Sequence, residues 1–391
     1  METLRIAMFS WESLHSINIG GMARAVSELS HAISKKGHEV HLFTRAGEGQ
    51  SDYEVIEGVH YHRCRFDSSG DILWHCEKMC NSMVELFHAV EEKTGRFHIV
   101  HCHDWHTINA GNHLKQRGGL PFVLSFHSTE WGRNGGSYGV WYEFREITGR
   151  EWYGAYVADW IITVSSAMRE ELKWLYKAPE DKIDIIPNGI RPRSFMKKVD
   201  SGEVKKRYGI HPYAPMILFI GRLAHQKGAD ILMGAVPGVL KNRWDAQFVF
   251  AGDGGMAGHL KYLAGLFDVA SAVKLLGHLS QEEYLDLLNA CDLVCIPSRN
   301  EPFGLVLLEA WSAKRAVVAS DVGGLSENID NFKNGIKVYP TSDSIAWGIN
   351  YVINDATGLK KLGEEGYKTV KKKFTWPTVA KTTLKTYKKV L

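Results

Sequence analysis

Residues 293–309 read LVCIPSRNEPFGLVLLE, and this stretch decides the fold class of the chain. Its first five residues form a continuous apolar run, which is typical of a parallel strand buried on both faces. A helix is predicted from Gly304 onward, because the apolar run there would be buried against a sheet. A strand that leads through a turn into a helix is the repeating unit of parallel α/β sheets.

Two carboxylates flank this turn. Glu301 lies in the turn itself, and Glu309 lies about one and a half turns into the helix. Ligands of open parallel sheets bind at the carboxyl ends of the strands, so the pair is expected to face a ligand. Carboxylates can hold sugar or ribose hydroxyls, and a helix N-terminus can face an anion. The spacing alone leaves open a helix-capping glutamate beside a solvated one.

The composition indicates a globular enzyme in two domains. At 391 residues the chain exceeds what one core usually organises, and 45% hydrophobic and 23% charged residues are ordinary values. The net charge of +3 is too small to indicate a nucleic-acid partner. Six scattered cysteines lack metal-ligand spacing and are predicted to be the reduced thiols of a cytosolic protein.

The two ends of the sequence bear on localisation. Residues 4–10 predict a strand that opens a domain and not a signal peptide. No apolar run approaches the length of a membrane span, so a soluble, cytoplasmic protein is expected. Lysines are dense from Lys360 onward, and a solvated helix face explains them better than peripheral contact with an anionic membrane or an anionic acceptor.

Strand-like and helical runs alternate in two series, separated by the proline and glycine cluster at residues 187–192. The predicted strands are 4–9, 39–44, 99–102, 122–126, 160–164 and 183–186, then 215–220, 246–251, 273–276, 293–296, 316–319 and 335–338. We therefore predict two doubly wound domains, 1–190 and 191–375. A last helix within 376–391, beginning near Thr378, is predicted to return to the first domain.

The second series carries charged turns. Arg222 follows a strand and Lys227 comes five residues later, so two cations can converge on a diphosphate leaving group, although such pairs are also common on surfaces. Gly252-Asp253-Gly254 follows the next strand and permits either close approach to a ligand or a plain turn.

Residues 276–280, which include Leu279, can set backbone groups against a nucleotide base. Ser280 and Glu283 predict a helix capping box that requires no ligand.

The first series begins with Gly20-Gly21 before a helix, where backbone amides can contact a phosphate. The spaced glycines and carboxylate of a nicotinamide site are missing. Residues 101–107, HCHDWHT, predict no metal site, because side chains on a strand and turn diverge. Asp104 and Trp105 suit a carbohydrate, through hydroxyl binding and stacking. His127 is either a hydrogen-bonding group beside the reacting sugar or a satisfied strand-end histidine.

Together and in order, these motifs resemble the retaining nucleotide-sugar glycosyltransferases of the GT-B type, in the group 1 family that contains the glycogen and sucrose synthases. The resemblance covers nearly the whole chain. It implies two Rossmann-like domains facing across a cleft, with the C-terminal helix crossing back to the N-terminal, acceptor-side domain. It also implies transfer of a hexose, above all glucose from UDP- or ADP-glucose, to a carbohydrate hydroxyl with an α linkage, without a cofactor or metal.

The resemblance assigns roles residue by residue. Arg222 and Lys227 match the cations on the donor diphosphate, and Glu309 matches the glutamate on the ribose. The loop that holds the donor sugar and its phosphates is matched by Glu301, Pro302, Phe303, Gly304 and Leu305. The remaining donor contacts are Gly252, Asp253 and Leu279.

In the first domain, Gly20 and Gly21 match the loop that closes over the diphosphate. Asp104, with Trp105, matches the acceptor side, and His127 matches a histidine beside the donor sugar. The catalytic set is thus His127, Arg222, Lys227 and Glu301. Glycogen synthases usually carry a lysine two residues before the paired glycines, and this chain has Asn18 there.

The implied mechanism is front-face attack with retention, in which the leaving diphosphate helps to take the acceptor proton. Glu301 and Glu309 belong to one strand–helix unit and do not straddle a substrate as a glycosidase pair does. Other readings are a hexosyl or mannosyl transferase with a lipid or cell-envelope acceptor, a nucleotide-sugar epimerase, and a non-catalytic sugar-nucleotide binding protein. A phosphorylase would need a pyridoxal-phosphate lysine, and no motif identifies one.

Overall fold

The computed structural model describes residues 3–391, which form two compact units. The first unit comprises residues 3–131, Tyr138–Gly189 and Trp376–Leu391, and the second comprises Gly132–Ser137 and Ile190–Thr375. The C-terminal segment therefore belongs to the first unit. Residues 132–137 group with the second unit, which the sequence-based division at residue 190 did not anticipate.

The first unit is built on an eight-stranded sheet with the order β3-β4-β2-β1-β5-β6-β7-β8. Its strands are β1 Arg5–Phe9, β2 Glu39–Arg45, β3 Tyr53–Ile56, β4 Val59–Cys64, β5 Ile99–His103, β6 Phe122–Phe126, β7 Trp160–Thr163 and β8 Ile183–Ile185. All neighbouring pairs are parallel except β3 with β4.

The antiparallel hairpin of β3 and β4 was missed by the sequence reasoning. Its turn is formed by Glu57 and Gly58, both with positive φ, at 47° and 80°. Such a two-residue turn fits the twist of a hairpin, but it is usually signalled by Asn-Gly or Asp-Gly. The strand Val59–Cys64 carries two histidines and an arginine among its six residues, so it lacks the apolar run on which the other strands were predicted.

Helices cover both faces of this sheet. They are α1 Gly21–Ser34, α2 Ile72–Thr94, α3 Ile108–Gly118, the short α4 Glu130–Arg133 at the unit boundary, α5 Tyr142–Val157 and α6 Ser166–Tyr176. The C-terminal helix Trp376–Tyr387 packs beside α1, and Val379, Ala380 and Leu384 share one buried apolar cluster with Val26 and Leu29. This packing is why the last helix belongs to the first unit.

The second unit has a six-stranded, wholly parallel sheet with the order β11-β10-β9-β12-β13-β14. Its strands are β9 Met216–Ile220, β10 Gln247–Ala251, β11 Val273–Gly277, β12 Leu293–Ile296, β13 Ala316–Ser320 and β14 Ile336–Val338. Its helices are α7 Ser201–Arg207, α8 Ala229–Leu240, α9 Ala257–Leu266, α10 Gln281–Ala290, α11 Leu305–Ser312, α12 Gly323–Asn328, α13 Ser342–Val352 and α14 Ala356–Lys373.

Each sheet reverses its strand order at one central strand. In the second unit, β9 pairs with β10 on one side and with β12 on the other. In the first unit, β1 lies between β2 and β5 in the same way. The crevice at the carboxyl ends of such strands is the ligand site of doubly wound sheets, so the fold directs attention to the turns after β9, β12, β1 and β5.

Two further expectations concern the whole described chain. All six cysteines lie within residues 3–391, where they are buried and free of disulfides. Across the same residues, no helix is long and apolar enough to cross a membrane.

Candidate active site

The turns after β9 and β12 bring a lysine and a glutamate together in the second unit. The Lys227 ammonium lies 2.8 Å from a carboxylate oxygen of Glu301, and the Ser298 hydroxyl donates to the same oxygen at 3.1 Å. The side chain of Lys227 is 24% exposed and that of Glu301 is 11% exposed, so the pair is largely shielded from solvent but open to the edge of the sheet. A cation and a carboxylate placed at the reversal point can bind a phosphate and sugar hydroxyls respectively.

Arg222 makes fewer hydrogen bonds than the neighbouring Arg299 at this edge of the sheet. Its side chain is exposed, and its guanidinium reaches the side-chain oxygen of Gln226 only at 3.5 Å. By contrast, Arg299 makes two bonds to Asp230, at 2.8 and 2.6 Å, and a third to the carbonyl of His225. Arg299 therefore braces the turns, whereas the guanidinium of Arg222 can turn toward a ligand.

The second glutamate has a different partner. Glu309 is half-buried in α11 and accepts a hydrogen bond from the Tyr284 hydroxyl on α10. Neither glutamate caps α11, because the residue before that helix is Gly304, with φ at +97° and no side-chain cap bond. The capping alternative is therefore wrong. The two carboxylates are held separately, one by Lys227 and one by Tyr284.

Only glycine fits at position 252, because two turns pack closely against each other there. A Cβ on Gly252 would lie 2.0 Å from the carbonyl oxygen of Gly221, and the residue has φ at +137°. The neighbouring Asp253 accepts the amide of Leu223 through its carbonyl at 2.8 Å. Structural packing thus explains Gly252 without a ligand, and its predicted donor contact stays a prediction.

The turn after β11 contains Leu279, which is half-buried directly before α10. The capping box predicted there is confirmed, since Ser280 and Glu283 exchange both of its hydrogen bonds. A contact between Leu279 and a nucleotide base remains a prediction.

In the first unit, the loop before α1 is held by a glutamate that the sequence reasoning missed. Glu12 accepts the amides of Ile19 and Gly20 at 2.9 Å each and that of Ala23 at 3.1 Å. Burial raises the pKa of Glu12, although these amides and Arg45 act in the opposite direction. The Gly20 amide, predicted to contact a phosphate, thus already donates to a carboxylate.

Glu12 lies seven to eleven residues before the amides that it accepts, so no local spacing signalled its role. Gly21 begins α1 immediately after this loop. A contact of the Gly20 amide with a donor would have to replace its bond to Glu12, because a backbone amide has one hydrogen to donate, whereas Gly21 is not among the residues whose amides Glu12 accepts.

Asp104 and His127 are brought together at the carboxyl ends of β5 and β6. A carboxylate oxygen of Asp104 accepts the backbone amide of His127 at 2.6 Å. Burial lowers the pKa of His127 despite the neighbouring carboxylate. His127 is therefore a neutral imidazole near pH 7, suited to exchanging a hydrogen bond and not to supplying a positive charge.

Trp105 does not lie where a stacking residue is expected. It is only 4% exposed, and its indole stacks on the ring of His106 at 4.2 Å between centroids. A sugar cannot stack on a face that is covered by protein. The structure therefore contradicts the stacking role predicted for Trp105. Asp104 is also 4% exposed and accepts the His127 amide, and its predicted acceptor contact stays a prediction.

Two hydrogen-bonded groups of side chains lie behind His127, and ring packing between His101 and His103 joins them. Nε2 of His127 lies 3.0 Å from Nδ1 of His103. Next to it, His101 bonds Ser125 through Nε2 and the Tyr387 hydroxyl through Nδ1, at 2.7 Å each. The rings of His101 and His103 lie 4.3 Å apart between centroids. The C-terminal helix is thus connected to the strand ends that carry His127.

Comparison with known proteins identifies the family of the chain. The family model of glycosyl transferases group 1 matches residues 200–369, and that of glycosyltransferase family 4 matches residues 19–194. An uncharacterized glycosyltransferase of Methanocaldococcus jannaschii is 37% identical over 394 residues, which covers 98% of both chains. The chain belongs to the group 1 glycosyltransferases.

Two further proteins are similar to this glycosyltransferase over nearly the whole chain. The glycogen synthase of Mycobacterium tuberculosis is 29% identical over 406 residues, covering 98% of this chain and 94% of the relative. Among solved structures, the sucrose-phosphate synthase of Thermosynechococcus elongatus superimposes with a TM-score of 0.83 at 22% identity, covering 99% of this chain and 98% of that one. The predicted family and the GT-B fold class are confirmed.

Within each unit of the glycosyltransferase, the structure joins residues that the sequence placed far apart. Lys227 meets Glu301, and Asp104 meets His127. Glu12, Tyr284 and Ser298, which hold predicted site residues in place, were not predicted. Each is a common polar residue that gains its role only through tertiary contact.

Proposed function

We propose that this glycosyltransferase transfers a hexose, glucose above all, from a UDP- or ADP-activated donor to a hydroxyl of a carbohydrate acceptor, with an α linkage and retention of configuration. The observation that carries the proposal is the Lys227–Glu301 pair at the reversal point of the second sheet. Glucose transfer to a glucan also draws support from the glycogen synthase relative.

The cations of the second unit supply the charge that the departing group needs. In the proposed reaction, the bond from the anomeric carbon to the diphosphate oxygen breaks, and its electron pair leaves with the diphosphate. Arg222 and Lys227 neutralise that developing charge, and the N-terminus of α11 adds its partial positive charge. No metal ion is required in this scheme.

The acceptor hydroxyl attacks the face from which the diphosphate departs. Its oxygen bonds to the anomeric carbon, and its proton passes to the departing phosphate oxygen. In this scheme, Glu301 holds hydroxyls of the donor sugar after exchanging its bond with Lys227, and Glu309 holds the ribose. His127 contributes a neutral hydrogen bond to the sugar.

Neither glutamate is proposed as a covalent nucleophile. In the proposed scheme Glu301 holds hydroxyls of the donor sugar, and Glu309 lies eight residues further along the same strand–helix unit. A retaining glycosidase pair would instead flank the scissile bond at about 5 Å from each other. Front-face transfer thus fits the chain better than double displacement.

A lipid or cell-envelope acceptor draws less support from the lysine-rich end. The last turn of α14 contains Lys371, Lys372 and Lys373, and the partial negative charge of the helix C-terminus favours cations there. Lys368 pairs with Glu365, and Lys389 pairs with Asp184 at 2.7 Å. Local roles thus account for these lysines, and membrane contact is proposed only as an outcome to be tested.

The test is nucleotide release from UDP-, ADP- and GDP-sugars, with glucan, glucose or lipid acceptors and without any acceptor. An α-linked glucan formed from UDP- or ADP-glucose, with the linkage read by NMR, would support the proposal. A lipid product would indicate a membrane lipid as the acceptor. Acceptor-free change of sugar configuration would indicate an epimerase, and donor binding without turnover would indicate a binding protein.

A further inference from the structure

A cluster of histidines and a glutamate lies in the first unit, at the opposite end of the strands from the candidate active site. Glu39 is the first residue of β2, and His41 follows it on the same face. His60, on β4, is the register partner of His41. Ligand atoms from these three residues lie within 4.8 Å of one another.

We propose that Glu39, His41 and His60 form a binding site for a divalent transition-metal ion of the zinc class. Two imidazoles and one carboxylate suit zinc, whereas magnesium and calcium prefer oxygen ligands throughout. In a tetrahedral zinc site, neighbouring ligand atoms lie about 3.4 Å apart, so the ligand atoms must move by about an ångström. The rings of His41 and His60, now stacked with 9° between their planes, must also rotate so that both Nε2 lone pairs face the ion. Water would complete the coordination, because Glu39 and His60 are only half-buried.

The outer contacts fix which atoms of the imidazoles face the metal. The Tyr53 hydroxyl lies 2.8 Å from Nδ1 of His60, which leaves Nε2 for an ion. His62 Nε2 lies 2.9 Å from Nδ1 of His41, which again directs Nε2 of His41 to the site. Metal ligands in proteins are usually held in this way through their second nitrogen.

The carboxylate is oriented by the same principle. One oxygen of Glu39 lies 2.9 Å from Arg5, and the other lies 2.9 Å from Nε2 of His41. A metal ion would replace the bond between Glu39 and His41 with two ligand bonds. His41 must then carry its proton on Nδ1 and donate a hydrogen bond to Nε2 of His62, which in turn carries its proton on Nδ1, so both imidazoles change tautomer without a change of charge.

Such a site would brace the edge of the sheet. Its ligands come from β2 and β4, and Tyr53 lies on the edge strand β3. Binding would therefore tie the hairpin of β3 and β4 to the parallel strands. It would act on stability and leave the chemistry at the other end of the strands to the residues already described.

The experiment uses the full chain without a polyhistidine tag, stripped with chelator and then loaded with Zn²⁺ or Co²⁺. We expect one Zn²⁺ per chain after desalting, a Co²⁺ absorption spectrum typical of nitrogen and oxygen ligands, and a Tm about 5–10 °C higher at zinc concentrations 100-fold above Kd. Retention of no metal, or of metal without any Tm rise, would overturn the proposal.

Variants separate this site from adventitious binding. His60→Gln should abolish the stoichiometric zinc, and Tyr53→Phe should weaken affinity about 10- to 100-fold because it releases the ring of His60. The matched control is His259→Gln, an exposed histidine of the second unit, which should bind zinc like the parent chain. Tyr53 is itself 51% exposed, so this variant tests the proposal even if His60→Gln folds poorly. Equal zinc affinity in Tyr53→Phe and the parent would contradict it.

Discussion

The two units share a doubly wound plan but bury different chemistry. Fourteen of the 18 histidines lie in the first unit, and several of them, such as His62, His101 and His103, are almost fully buried. The four histidines of the second unit are exposed by contrast, and its Lys227–Glu301 pair lies at the sheet edge. Buried histidines are thus a feature of the first unit, whereas the second unit buries charged side chains of other kinds, such as Lys205 and Asp286.

His101 shows how the first unit buries a histidine without leaving its ring nitrogens unsatisfied. His101 bonds Ser125 and Tyr387, so a neutral imidazole is satisfied on both nitrogens inside the core. Burial lowers the pKa of His62 and of His101 to about 3 in each case. A protein that buries neutral histidines becomes sensitive to acid, because the unfolded chain can bind protons that the folded core excludes.

The largest effect expected from this contrast is acid unfolding of the first unit. With a folded pKa of about 3 and an unfolded value of about 6.5, His62 and His101 each lower the free energy of unfolding as pH falls below 6.5, and the loss is complete near pH 3. At pH 5 the two together should cost about 4 kcal/mol.

The measurement is hydrogen–deuterium exchange, with a labelling pulse at one common pH after incubation at pH 5 or pH 7.5. Peptides from the first unit should become unprotected at pH 5 before those of the second, which serve as the internal control. Loss of protection in both units at the same pH would contradict the greater acid sensitivity of the first unit.

The next effect concerns the charged edge of the second unit. Lys227→Ala should lower kcat by about a hundredfold or more, because it removes one of the two cations proposed to stabilise the departing diphosphate. Steady-state nucleotide release measures the effect. The matched control is Lys261→Ala, an exposed lysine on α9, which should keep the parent rate. Unchanged turnover in Lys227→Ala would remove this lysine from the proposed mechanism.

A smaller effect is expected at the glutamate that organises the loop before α1. Glu12→Gln leaves one carbonyl oxygen where two carboxylate oxygens accepted three amides, so it should cost about 2 kcal/mol, or about 4–8 °C in Tm. Calorimetry measures the shift. The exposed Glu48→Gln should change Tm by about 1–2 °C at most. Equal Tm values for the two variants would show that Glu12 does not hold the loop.

The smallest effect tests the connection between the C-terminal helix and the buried histidines. Tyr387→Phe removes the hydroxyl that bonds His101 and should cost about 1 kcal/mol, or about 2–4 °C in Tm. The exposed Tyr351→Phe in the second unit is the control and should leave Tm nearly unchanged. An unchanged Tm in Tyr387→Phe would mean that packing alone holds this helix.

Sequence reasoning recovered twelve of the fourteen described strands, because most of them are short apolar runs bounded by turns. It missed the hairpin of β3 and β4, whose Glu57-Gly58 turn is a weak signal and whose second strand is rich in histidine and arginine. The chemical role predicted for one site residue was wrong. Trp105 has the side chain of a sugar-stacking residue, but the fold buries it against His106.

The sequence by itself determined the family, the two parallel sheets and the turns in which Arg222, Lys227, Glu301 and Glu309 lie, because apolar runs and turn residues are local signals. Only the tertiary structure decided that Lys227 pairs with Glu301, that Glu12 holds the Gly20 amide, and that Glu39, His41 and His60 converge. Those contacts join different strands and loops, and their geometry depends on sheet register and side-chain packing, which no spacing along the chain encodes.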